Sequence, residues 1–353
     1  MTVYIVDLEA VETRYTAQWK THIPTLVKQS TEHTVEIIDG PTDIPPATSP
    51  GAFLNFGGTN IYKASQVEKI SRLFCENKIM QGDHFVFTDA WHPGIINLKY
   101  MSELLNIPVT IHALWHAGSY DPQDFLGRLI GNAPWVRHAE QSFYNAIDHN
   151  YFASHFHINM FVKNLLGQDP KTFFAKVVRT GWPMDYMPSL LSEYETDKQD
   201  MILFPHRVAP EKQVEIFDDL AKELGHKYEF VVCQRQNLSK QEYHTMLGKS
   251  KLVFSANLQE TLGISCYEGA IVGAIPMVPD RLSYSEMYMD EFKYPSEWTE
   301  SWDSYQQHKT SIIHKIVVYM DTYEQWKSSV NEQADSLTKK YFSAEPLLKN
   351  LRG

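Results

Sequence analysis

The apolar positions of the chain fall into short blocks, each followed by a longer stretch with helical spacing. "TVYIVD" reads as a strand, and an amphipathic segment from about Val11 to Val27 as a helix. "HTVEIID" and "GAFLNFGG" read as further strands, the second closed by "FGGTN" (Phe56–Asn60), whose two glycines suit a tight turn or the lining of a ligand crevice. A helix "SQVEKISRLFCEN" follows, then the strand "DHFVFTD", the helix "IINLKYMSELLN" and the strand "IPVTIHALW". A helical stretch around "WVRHAEQSFYNAI" precedes two more strands, "NYFAS" and "KVVRTG". Strands alternating with helices predict an α/β fold with a parallel, doubly wound sheet.

The alternation breaks at Gly181–Asp200, a stretch with two prolines, a charged run and no period, which reads as a domain linker. It then restarts: "MILFPH" strand, "PEKQVEIFDDLAKELG" helix, "YEFVVCQ" strand, "SKQEYHTMLGK" helix, "KLVFSA" strand. From about Ser311 the chain reads as mostly helical. The expected organisation is a first Rossmann-like domain over 1–183, a second over 184–335, and a helix in 336–353 returning to the first domain. Two such domains in tandem offer a ligand the carboxyl ends of their strands.

Composition narrows the class. A chain of 353 residues with 43% hydrophobic residues suits two globular domains. No apolar run approaches the ~20 residues needed to cross a bilayer. The first residues lack the basic region of a secretory signal, and Cys75, Cys233 and Cys266 are scattered, as reduced intracellular thiols are. The expectation is a cytoplasmic protein. The net charge of −11 disfavours a protein that coats nucleic acid, without excluding one that reaches a base through a local basic patch. Fifteen histidines include His155 and His157, but no cysteine or carboxylate accompanies them at ligand spacing, so no metal site is expected.

The chemistry concentrates in "SANLQETLGISCYEGAIVGAIPMVP", Ser255–Pro279. A strand leads into "NLQETLG", where Thr261 is the expected N-cap and Gly263 permits close approach. The next helix turns its free N–H groups to the strand ends, a ready anion site. Glu260 precedes that helix and Glu268 lies about one and a half turns inside it, where a carboxylate can accept from two adjacent hydroxyls. The plain alternative is a surface glutamate and a lysine-paired one. Upstream, Arg207 follows a strand and Lys212 opens a helix. Cations at a helix start oppose the dipole unless an anion visits, so the two suit a diphosphate.

Arg207-x4-Lys212 followed by Glu260-x7-Glu268 and "GAIPMVP" resembles the donor half of retaining, nucleotide-sugar-dependent glycosyltransferases of the GT-B fold with the E-x7-E signature. Within them, "PHR-x4-K" and "ETLGISCYEGAIVGAIPMVPDRLSYSEMY" look most like the queuosine-tRNA mannosyltransferase-like branch and bacteriophage homologues that modify nucleic-acid bases. The resemblance implies two Rossmann-like domains facing a central cleft. It implies that Arg207 and Lys212 hold the donor diphosphate, that Glu268 holds the ribose, and that Glu260 with the amides of Thr261, Leu262 and Gly263 holds the sugar and a phosphate. Hexosyl or pentosyl transfer would proceed with front-face retention, the leaving phosphate helping to remove the acceptor proton. Family members also carry a first-domain histidine at a strand end. His112 is favoured, with His116 one turn on, and a half-buried structural histidine is an equal reading of either. Asp89, His92, His116, Arg128 and Arg137 are acceptor-side candidates. No metal and no cofactor beyond a UDP- or GDP-linked sugar is implied; modified DNA or tRNA is the implied acceptor partner, without stable membrane association.

The first strand lacks the glycine-rich turn that family members commonly carry after it, and the stretch after "YEFVVCQRQN" is short. Donor-base identity is therefore open, with Arg235 or Asn237 as candidates to contact the base. A small-molecule or saccharide acceptor, a nucleotide-sugar epimerase, and a protein that only binds nucleotide-sugar or nucleic acid are the competing readings.

Overall fold

Val3, Tyr4, Ile5 and Val6 are all buried, so the first strand is covered on both faces, as interior strands of parallel sheets are. The computed structural model describes residues 1–10, 15–44, 55–172, 176–179 and 181–352. The chain divides into two units, Met1–Pro183 together with Ala344–Gly353, and Met184–Ser343.

The first unit runs β1 (Thr2–Val6), α1 (Tyr15–Ser30), β2 (Thr34–Ile38), α2 (Phe56–Cys75), β3 (His84–Phe87), α3 (Gly94–Leu104) and β4 (Thr110–Trp115). It continues with α4 (Phe125–Ile130), α5 (Pro134–Ala146), β5 (His149–Phe152), α6 (His155–Asn164) and β6 (Val177–Arg179). Its described strands form one parallel sheet in the order β2-β1-β3-β4-β5-β6. The order reverses direction between β1 and β3, where strand ends diverge and leave a crevice. Phe85, Phe87, Trp115, Phe152 and Phe161 fill the core on one face of this sheet.

The second unit holds α7 (Met187–Leu191), β7 (Gln199–Phe204), α8 (Val214–Leu224), β8 (Glu229–Val232), α9 (Lys240–Lys249) and β9 (Ser250–Phe254). After these come α10 (Ile264–Ile271), β10 (Ile275–Pro279), α11 (Tyr284–Met287), β11 (Lys293–Tyr294), α12 (Trp302–Asp321) and α13 (Tyr323–Tyr341). Its described strands pair in parallel as β11-β10-β9-β7-β8, with the reversal between β7 and β9. Phe204, Phe217, Phe254, Met277 and Ile316 pack its core. The last helix, α14 (Glu345–Arg352), belongs to the first unit, where Asn350 donates to the Tyr151 hydroxyl.

Several expectations change. Of the "GAFLNFGG" segment, residues 51–54 lie outside the described residues. Phe56–Asn60 opens α2 instead of closing a strand: Asn55 Oδ1 accepts from the Gly58 N–H at 3.0 Å, and this side-chain cap turns the two glycines into a first helical turn. The stretch Gly181–Asp200 is not plain linker but contains α7 and the first residues of β7. Residues 336–343 stay with the second unit because α13 runs on to Tyr341 and Phe342 stacks on Tyr267 at 3.7 Å.

Candidate functional site

The reversal in the second sheet is flanked by two loops that carry most of the singled-out chemistry. One leaves β7 at Phe204 and runs through His206, Arg207 and Lys212; the other leaves β9 at Phe254 and reaches α10 through Asn257, Glu260 and Gly263. The first loop ends in a single turn of 3-10 helix, Pro210–Lys212, closed by Gln213 in the left-handed region at φ 53°. The Gln213 side chain is buried and donates to the carbonyls of Ala256 and Thr299, which holds the two loops together.

Lys212 is buried, and its ammonium donates to the Gln259 carbonyl and to Glu260 Oε2 at 3.2 Å. Arg207 behaves differently. Its side chain is 40% exposed and pairs with the buried Glu211. The structure thus separates the two cations into a fixed one and an accessible one.

Glu260 is tightly held. Oε2 also accepts from Asn257 Nδ2 at 3.2 Å, and Oε1 accepts from the amides of Thr261 and Leu262 at 3.1 and 3.5 Å. Burial pushes its pKa up, but Lys212, His206 and the Gly263 amide pull harder, and it rests at about 2. The amides expected to hold a phosphate are therefore turned to Glu260 in this structure.

The N-cap of α10 is not Thr261 but Gly263, which takes φ 70° and makes no side-chain cap bond. A Cβ there would stand 2.5 Å from the Tyr284 ring, so space and backbone both demand glycine. The helix consequently opens directly after the loop that carries Glu260, with the Cys266 and Tyr267 amides donating to the Gly263 carbonyl at 3.1 and 3.2 Å.

Glu268 sits on α10 and is half-buried. Its Oε2 accepts from the Tyr243 hydroxyl of α9 at 2.9 Å. Burial pushes its pKa up to about 7, against the opposing pull of Tyr243 and Lys240. A carboxylate poised near neutrality can accept hydroxyl hydrogen bonds when ionised and loses that capacity when protonated.

Sequence reasoning singled out these residues but missed their neighbours. His206, adjacent to Arg207, is buried, with its Nδ1 3.3 Å from Ser265 Oγ, and burial lowers its pKa to about 3. His206 Nε2 and Asn257 Oδ1 are buried without a hydrogen-bond partner. Arg281 donates to the carbonyls of Ala256, Asn257, Ser296 and Thr299, bracing the loop from behind. The position of His206 beside Arg207 after a strand was a readable signal; the role of Arg281 had none. Of the base-contact candidates, Arg235 is engaged by Asp218 in a two-pronged pair at 2.6 and 2.8 Å, and Asn237 adopts φ 50°.

In the first unit, the expected strand-end histidine is corrected. His112 is the third residue of β4, fully buried, with its ring 2.9 Å from both His84 Nδ1 and the Tyr151 hydroxyl. The residue that follows the strand is His116. It donates from Nε2 to the Thr88 carbonyl at 2.6 Å, has the Tyr15 hydroxyl 2.7 Å from Nδ1, and packs against Trp182 at 4.6 Å. The strand extends past His112 because Leu114 and Trp115 continue the ladder with β5.

Asp89 follows β3 and pairs with the buried Lys63 at 2.7 Å. Burial would raise its pKa, but Lys63 and His116 outweigh it and bring it to about 2. His92 is buried with both nitrogens committed: the Gly94 amide donates to Nδ1 and Nε2 donates to Gln66 Oε1, each at 2.9 Å. Asp89 therefore sits between Lys63 and the field of His116, while His92 is held by Gln66 and Gly94. Arg128 is exposed on α4 and donates to the Gln123 carbonyl. Arg137 on α5 bonds the carbonyls of Gly131 and Asn164, tying helices together. Among the described residues no three His, Cys, Asp or Glu side chains gather as metal ligands, and no helix is long and apolar enough to cross a membrane.

Compared by sequence, the chain matches no family model and no curated protein. Compared by structure, it is similar to sucrose-phosphate synthase from Thermosynechococcus elongatus, with a TM-score of 0.61 and 9% identity over 99% of this chain and 97% of that one. It is similar to WaaG, a glycosyltransferase involved in lipopolysaccharide biosynthesis, with a TM-score of 0.56 and 14% identity over all of both chains. It is also similar to the pneumococcal O-GlcNAc transferase GtfA, solved with UDP and GlcNAc, with a TM-score of 0.52 and 12% identity. That match takes in 82% of this chain but spans only 58% of GtfA. At such identities the likeness establishes the fold: two parallel Rossmann-like sheets flanked by helices, the α/β architecture of GT-B glycosyltransferases.

Proposed function

We propose that the protein is a retaining glycosyltransferase that moves a hexosyl or pentosyl group from a UDP- or GDP-linked sugar to an acceptor hydroxyl. The observation that carries this reading is the convergence of Lys212, Glu260 and the glycine-started N-terminus of α10 on the crevice between β7 and β9, with Arg207 beside it. Fixed positive charge, a helix N-terminus and a rigid carboxylate together suit a diphosphate joined to a polyol. In this reading Lys212 and Arg207 stabilise the charge growing on the leaving phosphate as the sugar–oxygen bond breaks. The acceptor oxygen bonds the anomeric carbon from the same face, and its proton passes to the departing phosphate. Glu260 orients the sugar hydroxyls and Glu268 the ribose. The protein needs no metal or cofactor of its own in this scheme, and its workplace is the cytoplasm, that of the host if a phage encodes it.

The acceptor we assign is a hydroxyl on a modified nucleobase, in hydroxymethylated phage DNA or in tRNA. The resemblance in the donor half supports it, as does a surface on which exposed Arg128 and Leu129 lie near in sequence to exposed Trp135. Incubation with UDP-glucose or GDP-mannose and modified or unmodified polynucleotide, followed by product mass, tests both parts. Added hexose on the modified polynucleotide, with transfer falling steeply as salt rises, is expected. Sugar appearing only on saccharides or small molecules would refute the acceptor and keep the transferase. Conversion of the donor sugar without any acceptor would identify an epimerase.

A further inference from the structure

We infer that Tyr243 and Lys240 of α9 position the Glu268 carboxylate for the donor ribose and so set the pH range in which the protein takes up a nucleotide sugar. The inference rests on the donor-site reading above and adds two residues and a property to it.

Its basis is geometric. The first turn of α9 is fixed by a capping box, Ser239 accepting from the Glu242 amide while Glu242 accepts from the Ser239 amide. Lys240 and Tyr243 are one turn apart and so share a helix face. From that face the Tyr243 hydroxyl donates to Glu268 Oε2 at 2.9 Å. Among the described residues the side-chain hydrogen bond to Glu268 goes to Oε2, and Oε1 is the oxygen left for a ligand hydroxyl. A carboxylate held by one oxygen presents the other in a fixed direction, and that is the arrangement a ribose diol needs.

The groups around Glu268 decide what titrates. Tyr186, Tyr243 and Tyr267 all have their acidity suppressed by burial, and burial pushes the Cys233 and Cys266 thiols up to about 12. Each stays neutral around pH 7. Lys240 is the cation that faces Glu268, and burial lowers its pKa. Glu268, pushed up by burial to about 7, is left as the group that changes charge near neutrality. Its ionised form accepts hydrogen bonds from ribose hydroxyls. Below the midpoint the added proton removes acceptor capacity, so affinity falls as the pH drops.

Titration calorimetry with UDP-glucose and with GDP-mannose, from about pH 5.5 to 8.5, tests this, because the doubly esterified diphosphate of these probes loses no proton in that range. The wild-type affinity is expected to rise by up to about tenfold per pH unit below a midpoint near 7 and to level off above it. Tyr243→Phe removes the donor that favours the ionised carboxylate and should move the midpoint upward, so that affinity lost at pH 7 is regained at higher pH. Lys240→Met should move it the same way, and it carries the test if Tyr243→Phe does not fold. Glu268→Gln should give a flat profile. A wild-type affinity independent of pH, or an unmoved midpoint in folded Tyr243→Phe or Lys240→Met, overturns the inference. If neither probe binds the wild type at any pH, the donor-site reading itself is what fails.

Discussion

Lys212 and Arg207 are five residues of chain apart yet meet different fates, one buried against Glu260 and the other 40% exposed beside Glu211. Replacing either by Ala should slow sugar transfer by about 10²–10³-fold, the scale of losing one group that stabilises transition-state charge. Lys212→Ala should also lower the unfolding temperature, because it strands a carboxylate held at about 2 by its partner. Arg207→Ala should leave that temperature nearly unchanged. Transfer at the wild-type rate in both variants would remove the diphosphate assignment. Glu268 supports a second expectation, with the opposite sign. Its folded pKa of about 7 lies above the ordinary carboxylate value of 4.5, so between those values the native state binds more protons than the unfolded one. Ionised Glu268 is thus a cost to folding that grows as pH rises from 4.5 through 7. Glu268→Gln should raise the unfolding temperature at pH 8 and change it little at pH 4.5; an equal effect at both would show that burial does not govern this carboxyl.

At the scale of an element, the start of α10 is the critical piece. The helix contains only Ile264–Ile271, so its position depends on the loop before it more than on its own propensity. Gly263 sets the entry angle, and Arg281 clamps the carbonyls of Ala256 and Asn257. Gly263→Ala must adopt the left-handed region and push its Cβ into Tyr284, and about 1–3 kcal/mol of stability should be lost in denaturant unfolding. Nucleotide-sugar binding should weaken as well, since the first-turn amides shift with the cap. A variant that unfolds like the wild type would mean that the loop relaxes freely.

At the scale of the molecule, α14 closes the first unit rather than continuing the second. It buries Leu347, Leu348 and Leu351, and the Leu351 carbonyl lies 2.8 Å from His33 Nε2. Burying a leucine contributes roughly 1.5–3 kcal/mol, so deleting residues 344–353 should destabilise the first unit by several kcal/mol. Binding of a nucleotide sugar, assigned wholly to the second unit, should survive. Calorimetric unfolding together with titration of the truncated protein checks both halves, and a loss of binding at temperatures where the second unit remains folded would contradict the assignment.

The alternation of strands with helices and the parallel sheets were legible in the sequence, because burial on both faces leaves uninterrupted apolar blocks such as "TVYIV" and "MILF". The placement of Arg207, Lys212 and Glu260 in the loops that follow β7 and β9 was legible too, since each lies within a few residues of a strand or helix terminus. Other features were decided by tertiary contacts. That His116 and not His112 leaves β4 depends on how far the ladder to β5 extends, which a single strand's pattern does not state. That Gly263 and not Thr261 starts α10 depends on the Tyr284 ring and on Glu260 taking the Thr261 and Leu262 amides. Tyr243 meets Glu268 from 25 residues away, and Arg281 reaches back to Ala256 across another 25. Periodicity along the chain records which face of an element is buried; which side chains meet across elements follows from register and helix rotation, and only the packed structure decides those.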